Sequence, residues 1–205
     1  MDIRVLPGLS NYSETYALQE TLVQKRVRDE IPDTLLLLEH SPVITVGRAR
    51  GAAENVLTAS DTPVVKVARG GDVTWHGPGQ LVAYPIIKLE GHRKDLHRHL
   101  HSLEDAVITL LEELGLSPHR DPRNTGVWLK GKKVCSIGIG CRKWVTWHGL
   151  ALNVTPNLDV FTQINPCGFE ASIMTRLEDH LTPCPDVRAL MSPLALHLAS
   201  ALDAA

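Results

Sequence analysis

The chain lacks an excess of either charge. Among 205 residues, 21 Lys and Arg stand against 23 Asp and Glu, a formal net of −2. Binding nucleic acid through its phosphates wants a basic surface, and no local run of Lys and Arg is dense enough to supply one. Long apolar runs are also missing, and none approaches the roughly 20 residues that span a bilayer. The opening MDIRVLPGLS has no basic stretch followed by an apolar one, so no secretory signal is read and a cytoplasmic protein is expected. The four cysteines, Cys135, Cys141, Cys167 and Cys184, form no C-x-x-C pair. That argues against a zinc site, and without a secreted context it argues against a disulfide framework. Four free thiols and no bound metal are expected. No internal repeat, low-complexity tract or long linker appears, and the length suits a single domain over 1–205. Nothing in the chain speaks against a monomer.

What is present falls into short, well-marked elements. In SETYALQETLVQKRVRDEIP, Tyr16, Leu22, Val23 and Val27 recur at helical spacing, with Ser13 placed to cap and Pro32 beyond the end. TLLLLEHSPVITVGR reads as two strands broken at HSP. VVKVA and QLVAYPIIKL read as strands flanking a glycine-rich stretch. The clearest helix starts after Asp95, runs through Leu96, Leu100, Leu103, Val107, Leu111 and Leu114, and stops at Gly115. From Thr125 to Val154 the pattern is β, with a turn at Gly131. A helix-like stretch runs from about Phe169 to Leu177, and Ser192 with Pro193 opens a final short helix. Hairpins mixed with separate helices predict an α/β fold built on mixed sheets with flanking helices, not a doubly wound parallel sheet.

Four stretches carry possible chemistry. RGGDVTWHGPGQ, from Arg69 to Gln80, is too rich in glycine for an ordinary loop, yet no Gly-Lys-Ser/Thr follows and no Rossmann fingerprint is present. It is either a tight strand connection or a backbone wall against which a flat or extended ligand lies. Arg69 then suits an anionic or carbonyl group, and His76 can donate a hydrogen bond. In GKKVCSIGIG, strand alternation puts Lys133, Cys135 and Ile137 on one face, and Ser136 and Gly138 on the other. The plain alternative is a core strand with Cys135 as a small hydrophobe. In INPCGFE, Cys167 precedes the helix-like stretch, where a helix N-terminus lowers a thiol pKa. It is equally readable as a buried loop cysteine. In HRKDLHRHLH, only His97 and His101 share a helix face, which reads as a solvated face rather than a metal site.

Taken together these segments resemble the lipoyl(octanoyl) transferases. RGGDVTWHGPGQLVAY matches the family signature, and GKKVCSIG, WHGLALNV and INPCG match three further blocks in order and spacing. The resemblance covers nearly the whole chain. It implies a catalytic domain of the biotin/lipoate protein ligase type. It also implies transfer of an octanoyl group from octanoyl-acyl carrier protein to a lysine ε-amine on a lipoyl domain, the acceptors being 2-oxoacid dehydrogenases and the glycine cleavage H protein. No cofactor is implied. The family's acyl-carrying cysteine falls on Cys167 and its assisting lysine on Lys133, which returns Cys135 to core packing. The octanoyl-binding stretches fall on Arg69, Gly70, Gly71, Asp72, Val73, Thr74, Trp75 and His76, on Ser136, Ile137 and Gly138, and on Gly149, Leu150 and Ala151.

The chemistry asks for particular surroundings. A thiol in water is only a few per cent thiolate at pH 7, so a neighbouring cation helps. A lysine in water keeps its proton at that pH, so base chemistry wants an apolar pocket. The tetrahedral oxyanion needs donors, for which the Gly77 N–H and His76 are candidates. His40 is a further candidate for contact with the site. Arg142 with Lys143, or Arg93, Lys94 and Arg98, are candidates for docking the acidic carrier. Two rival readings use similar parts: an amidotransferase moving octanoyl between lipoyl domains, and an ATP-dependent lipoate ligase.

Overall fold

The computed structural model describes residues 1–57, 61–165 and 170–203. Its first strand, β1 (Asp2–Ser10), was not anticipated. It is largely exposed and lies at a sheet edge, parallel to β2 (Thr34–His40), so no apolar alternation marks it. Helix α1 (Tyr12–Val27) lies where expected, but its cap is Asn11 and not Ser13. The Asn11 Oδ1 accepts from the N–H groups of Ser13 at 2.9 Å and Glu14 at 3.3 Å.

The two strands around HSP are β2 and β3 (Val43–Val46). VVKVA supplies the short β4 (Val64–Lys66). The glycine-rich stretch contains a strand of its own, β5 (Val73–His76), before β6 (Gln80–Ile86). β3 pairs with β4 on one side and β5 on the other in a small three-stranded sheet.

The main sheet takes β2 and β6 and adds β10 (Val145–Asn153), β9 (Lys132–Arg142), β8 (Asn124–Leu129) and β7 (His119–Asp121). Its order is β1-β2-β6-β10-β9-β8-β7. Among the described residues β1–β2 is the one parallel strand pair of this sheet and β3–β4 that of the small sheet, which bears out the expected mixed sheets. The central strands are covered on both faces, so they read as continuous apolar runs. Leu35, Leu37, Leu81 and Ala83 enter the core under two helices, α2 (Leu96–Glu113) and α3 (Val187–Asp203). Their neighbours Leu36, Leu38, Val82 and Tyr84 pack on the opposite face beneath α1.

Helix α2 follows its leucine spacing. Asp95 caps it, and Gly115 takes a left-handed φ of 78° just past its end. Two helix predictions need correction. α3 begins at Val187, where Asp186 Oδ1 accepts from the Ala189 N–H at 2.7 Å, and Pro193 lies inside it. An interior proline costs about 3 kcal/mol. The buried stripe Leu190, Met191, Leu194, Ala195, Leu198 and Leu202 offsets that cost. The helix-like stretch after Cys167 resolves, over its described part, into two single 3₁₀ turns, Ala171–Ile173 and Leu177–Asp179. Between them Met174 bridges to Lys133 and the Thr175 N–H donates to the Lys133 carbonyl at 3.0 Å. Pairing with β9 wins there over local helix propensity.

Candidate active site

A cavity of about 210 Å³ lies between the two sheets. Residues 69–74 and His76 form one wall, and 136–139 with 148–151 form another. Lys133, Asn124, Thr125 and Leu100 close one end. The structure therefore brings together Lys133 and every residue of the three expected octanoyl-binding stretches except Trp75. Strand alternation in β5 sends Trp75 the other way, into a cluster with Ile44 and Phe161, where its ring meets Phe161 edge-on at 5.9 Å. Gly77, proposed as an oxyanion donor, is not part of the cavity wall. Cys167 lies outside the described residues.

Lys133 reaches the cavity through a defect in the sheet. Val127 is opposite Cys135, but the next residue, Trp128, is opposite Lys133. Val134 is thus an extra residue in β9, a β-bulge. Val134 and Cys135 both enter the core, while Lys133 joins Ser136 at the cavity. The expected face shared by Lys133 and Cys135 does not exist, because the bulge resets the alternation. Cys135 is fully buried, and desolvation pushes its thiol up to about 12 despite the nearby Lys133 charge. That suits core packing and opposes a nucleophilic role.

The Lys133 ammonium is buried, donates to the Asn124 side-chain oxygen and lies 5.7 Å from the Trp128 ring centroid. Its stem crosses Gly126. A Cβ there would stand 2.6 Å from Lys133 Cε and 2.3 Å from the Cys135 carbonyl oxygen. Gly126 also has φ of 139°, which side chains avoid. Its N–H is held at 2.9 Å by Glu104, a buried carboxylate that also accepts from Arg120 Nε at 2.7 Å.

His76 is not the donor it was expected to be. Thr175 and Trp75 present carbonyl oxygens, which can only accept. Asn153 Nδ2 donates to the first at 2.9 Å and Gln80 Nε2 to the second at 3.2 Å. Gln80 Nε2 also donates to Asn153 Oδ1 at 2.9 Å, so Gln80 Oε1 is left to accept from His76 Nδ1 at 3.2 Å. The remaining His76 nitrogen is an acceptor. Burial, helped by His40 and Arg69, holds the His76 pKa well below the usual histidine value. The ring is neutral and offers the cavity no N–H. Arg69 likewise braces the wall. Its Nη2 donates to the Thr45 carbonyl at 2.9 Å and hydroxyl at 3.0 Å, and its Nη1 to the Gly70 carbonyl at 3.1 Å.

His40 stands behind the wall. Its Nδ1 donates to the Ser10 carbonyl at 3.1 Å, and its Nε2 accepts from the Tyr84 hydroxyl at 2.8 Å. Burial lowers its pKa to about 4. His97 and His101 face solvent and His99 turns into the core. No group of three His, Cys, Asp or Glu side chains is arranged for a metal among the described residues. Likewise no described helix is long and apolar enough to cross a membrane. Several cavity residues had escaped notice: Tyr12, Tyr84, Leu100, Asn124, Thr125, Ile139 and His148. A hairpin turning at Gly131 sets Trp128, not Asn124, opposite Lys133, so the contact with Asn124 depends on the course of the lysine side chain along β8 and carried no local signal.

Comparison with known proteins agrees with this geometry. Residues 11–199 match the family described as the lipoyl protein ligase A/B catalytic domain. An octanoyltransferase of Rubrobacter xylanophilus is 50% identical over 188 residues, covering 88% of this chain and 84% of its own. The chain belongs to the octanoyltransferases of that family. It is an acyltransferase. Among solved structures, lipoate-protein ligase A bound with ATP superposes with a TM-score of 0.78 at 15% identity, over 99% of this chain and 86% of the other. The biotin protein ligase of Aquifex aeolicus gives 0.58 at 15% identity, over 99% and 69%. At such identities these two speak for the fold alone, and they bear out the biotin/lipoate ligase catalytic type.

Proposed function

We propose that this octanoyltransferase moves an octanoyl group from octanoyl-acyl carrier protein to the ε-amine of a lysine on a lipoyl domain, by way of an acyl-thioester on Cys167. The acceptors are the lipoyl domains of 2-oxoacid dehydrogenases and the glycine cleavage H protein, and the working unit is the single domain 1–205. The observation that carries the reading is a buried lysine, Lys133, held by Asn124 at one end of a narrow cavity lined by glycine backbone and by apolar and polar side chains.

In the first half-reaction the Cys167 thiolate attacks the donor thioester. The bond from the acyl carbon to the carrier's sulfur breaks, and that sulfur leaves with a proton given up by the Lys133 ammonium, which leaves Lys133 neutral for the second half-reaction. In the second, the acceptor amine attacks the Cys167 thioester, Lys133 takes the amine proton, and the Cys167 sulfur departs. Thioester exchange is nearly balanced and amide formation runs downhill, so no nucleotide is required. Binding follows from burial, since each methylene removed from water contributes about 0.8 kcal/mol.

The carrier must approach at the Lys133 end. That disfavours Arg142 and Lys143 as its docking residues, because they stand at and just past the end of β9, beyond Ile139 and away from the Lys133 end of the cavity. Arg93, in the turn before α2, is engaged with the Leu202 carbonyl of α3 at 2.8 Å.

Intact-protein mass spectrometry after exposure to octanoyl-acyl carrier protein tests the reading. An octanoyl adduct on the wild type, released by hydroxylamine and absent from Cys167→Ser, is the expected result. Product on a lipoyl domain with no adduct would mean direct transfer and remove Cys167 from its role. Activity only with free octanoate and ATP, or only with an octanoylated lipoyl domain as donor, would replace the proposal by one of its rivals.

A further inference from the structure

The cavity has two ends, and strand register gives the distance between them. The Lys133 ammonium lies over Gly126, which is opposite Ser136. Moving away from Lys133 along β9 and β10, the facing pairs are Ser136 with Ala151, Ile137 with Leu150, Gly138 with Gly149, and Ile139 with His148. Three residue steps at about 3.3 Å each make roughly 10 Å. Seven C–C bonds of about 1.5 Å, extended in a zigzag from a carbonyl carbon to the terminal methyl of an octanoyl chain, cover about 9 Å.

Four buried rings stand at the far end: Tyr12, His76, Tyr84 and His148. They do not yield easily. Tyr12 stacks on His76 with centroids 6.1 Å apart, and Tyr84 meets His148 edge-on at 6.3 Å. His76 is tied to Gln80, and Tyr84 to His40, which is itself tied to the Ser10 carbonyl. Methionine or leucine in these places would shift rotamer to admit a longer chain; buried rings that pack on one another, two of them hydrogen-bonded, resist.

We propose that Tyr12, His76, Tyr84 and His148 form a rigid stop that sets acyl-chain length, one octanoyl length from the Lys133 ammonium. The proposal rests on the reading of this cavity as an acyl site, but its signature is separate from catalysis. Shorter chains lose only burial, so affinity falls about fourfold per missing methylene. Longer chains must displace the stop, so affinity falls roughly 10- to 200-fold for each methylene beyond the limit. A gentle decline below eight carbons and an abrupt one above is what a stop produces; a flexible apolar pocket gives a gradual rise with length.

The experiment is calorimetric titration of the wild-type chain with straight-chain carboxylates of six to twelve carbons. His148→Gly and Tyr12→Val follow. His148 has a left-handed φ of 56°, which glycine adopts readily, so the first variant opens the stop without new backbone strain. Expected are an optimum at eight carbons in the wild type and a move to ten or twelve in either variant, with the ten-to-eight affinity ratio rising at least tenfold. Tyr84→Phe keeps the ring, so its optimum stays at eight. An optimum other than eight carbons, an unmoved optimum in folded His148→Gly and Tyr12→Val, or no binding of any length would overturn the stop. Failure of acyl transfer in the mass-spectrometric assay, with the length optimum intact, would instead count against the transfer reaction alone.

Discussion

Replacing Gly126 by alanine tests how Lys133 is placed. The added Cβ would meet the Cys135 carbonyl oxygen at 2.3 Å and Lys133 Cε at 2.6 Å, at a φ of 139°. The first contact is with backbone and cannot be relieved by a rotamer change. Strained φ costs about 1–3 kcal/mol. Overpacking adds about 1–3 kcal/mol. A loss of about 2–6 kcal/mol in a domain of this size lowers Tm by roughly 5–20 °C. The second contact pushes the lysine stem off its line, and a displacement near 1 Å costs on the order of 100-fold in rate. Gly131→Ala separates the two effects. Gly131 also has positive φ, 78°, but nothing lies within 4 Å of its Cβ position. It should lose about 1 kcal/mol, roughly 2–4 °C in Tm, and keep its rate. Thermal melts and single-turnover transfer from the acyl-enzyme to a lipoyl domain measure both quantities. A Gly126→Ala protein with wild-type rate would refute the claim that Gly126 exists to let Lys133 pass. Equal rate losses in both variants would assign the effect to backbone strain instead.

Further outcomes follow from single contacts. Asn124→Leu removes the acceptor of the Lys133 ammonium, and its transfer rate should fall about 10- to 100-fold, the worth of a charged hydrogen bond; an unchanged kcat would deny Asn124 a positioning role. Glu104 Oε1 accepts from the Gly126 N–H and Oε2 from Arg120 Nε, so Glu104→Gln removes the charge and can keep only one of the two acceptors, and urea unfolding should show a loss of about 1–3 kcal/mol. Neither ring nitrogen of buried His99 has a protein partner, so His99→Leu should stabilise by about 1–3 kcal/mol at pH 7.5. Burial lowers the folded His99 pKa to about 4, so below the usual 6.5 the unfolded chain binds the extra proton. The wild type therefore loses stability as pH falls from 6.5 toward 4, and the variant's advantage should widen by about 2 kcal/mol at pH 5; a constant gap between the two pH values would show that His99 is not held neutral. With its thiol pushed up to about 12, Cys135 should resist alkylation at pH 8 in the native state, and Cys135→Ala should keep its transfer rate, as timed labelling and kinetics would show.

Some of this protein was decided by the sequence alone. Asp95, the leucine spacing and Gly115 define α2 because capping and helical periodicity act within a few residues. The strands on either side of HSP, and the hairpin at Gly131, are legible for the same local reason. Residues 69–76 and the SIG and GLA blocks identify the cavity walls through the family resemblance, and all of these but Trp75 do line the cavity. Tertiary structure decided the rest. The bulge at Val134 turns Lys133 from the Cys135 face to the Ser136 face, and only pairing with β8 reveals it. The His76 tautomer depends on how Gln80 is turned by Asn153 and the Thr175 carbonyl, which are remote in sequence. The exposed β1 strand and the run of α3 through Pro193 exist because neighbouring elements pair and pack with them, against their local signals. The four rings at the far end of the cavity come from α1, β5, β6 and β10, and only folding sets them one acyl length from Lys133. Local spacing reports which face a side chain takes on its own element; the distance between two elements follows from register and packing, which no single segment encodes.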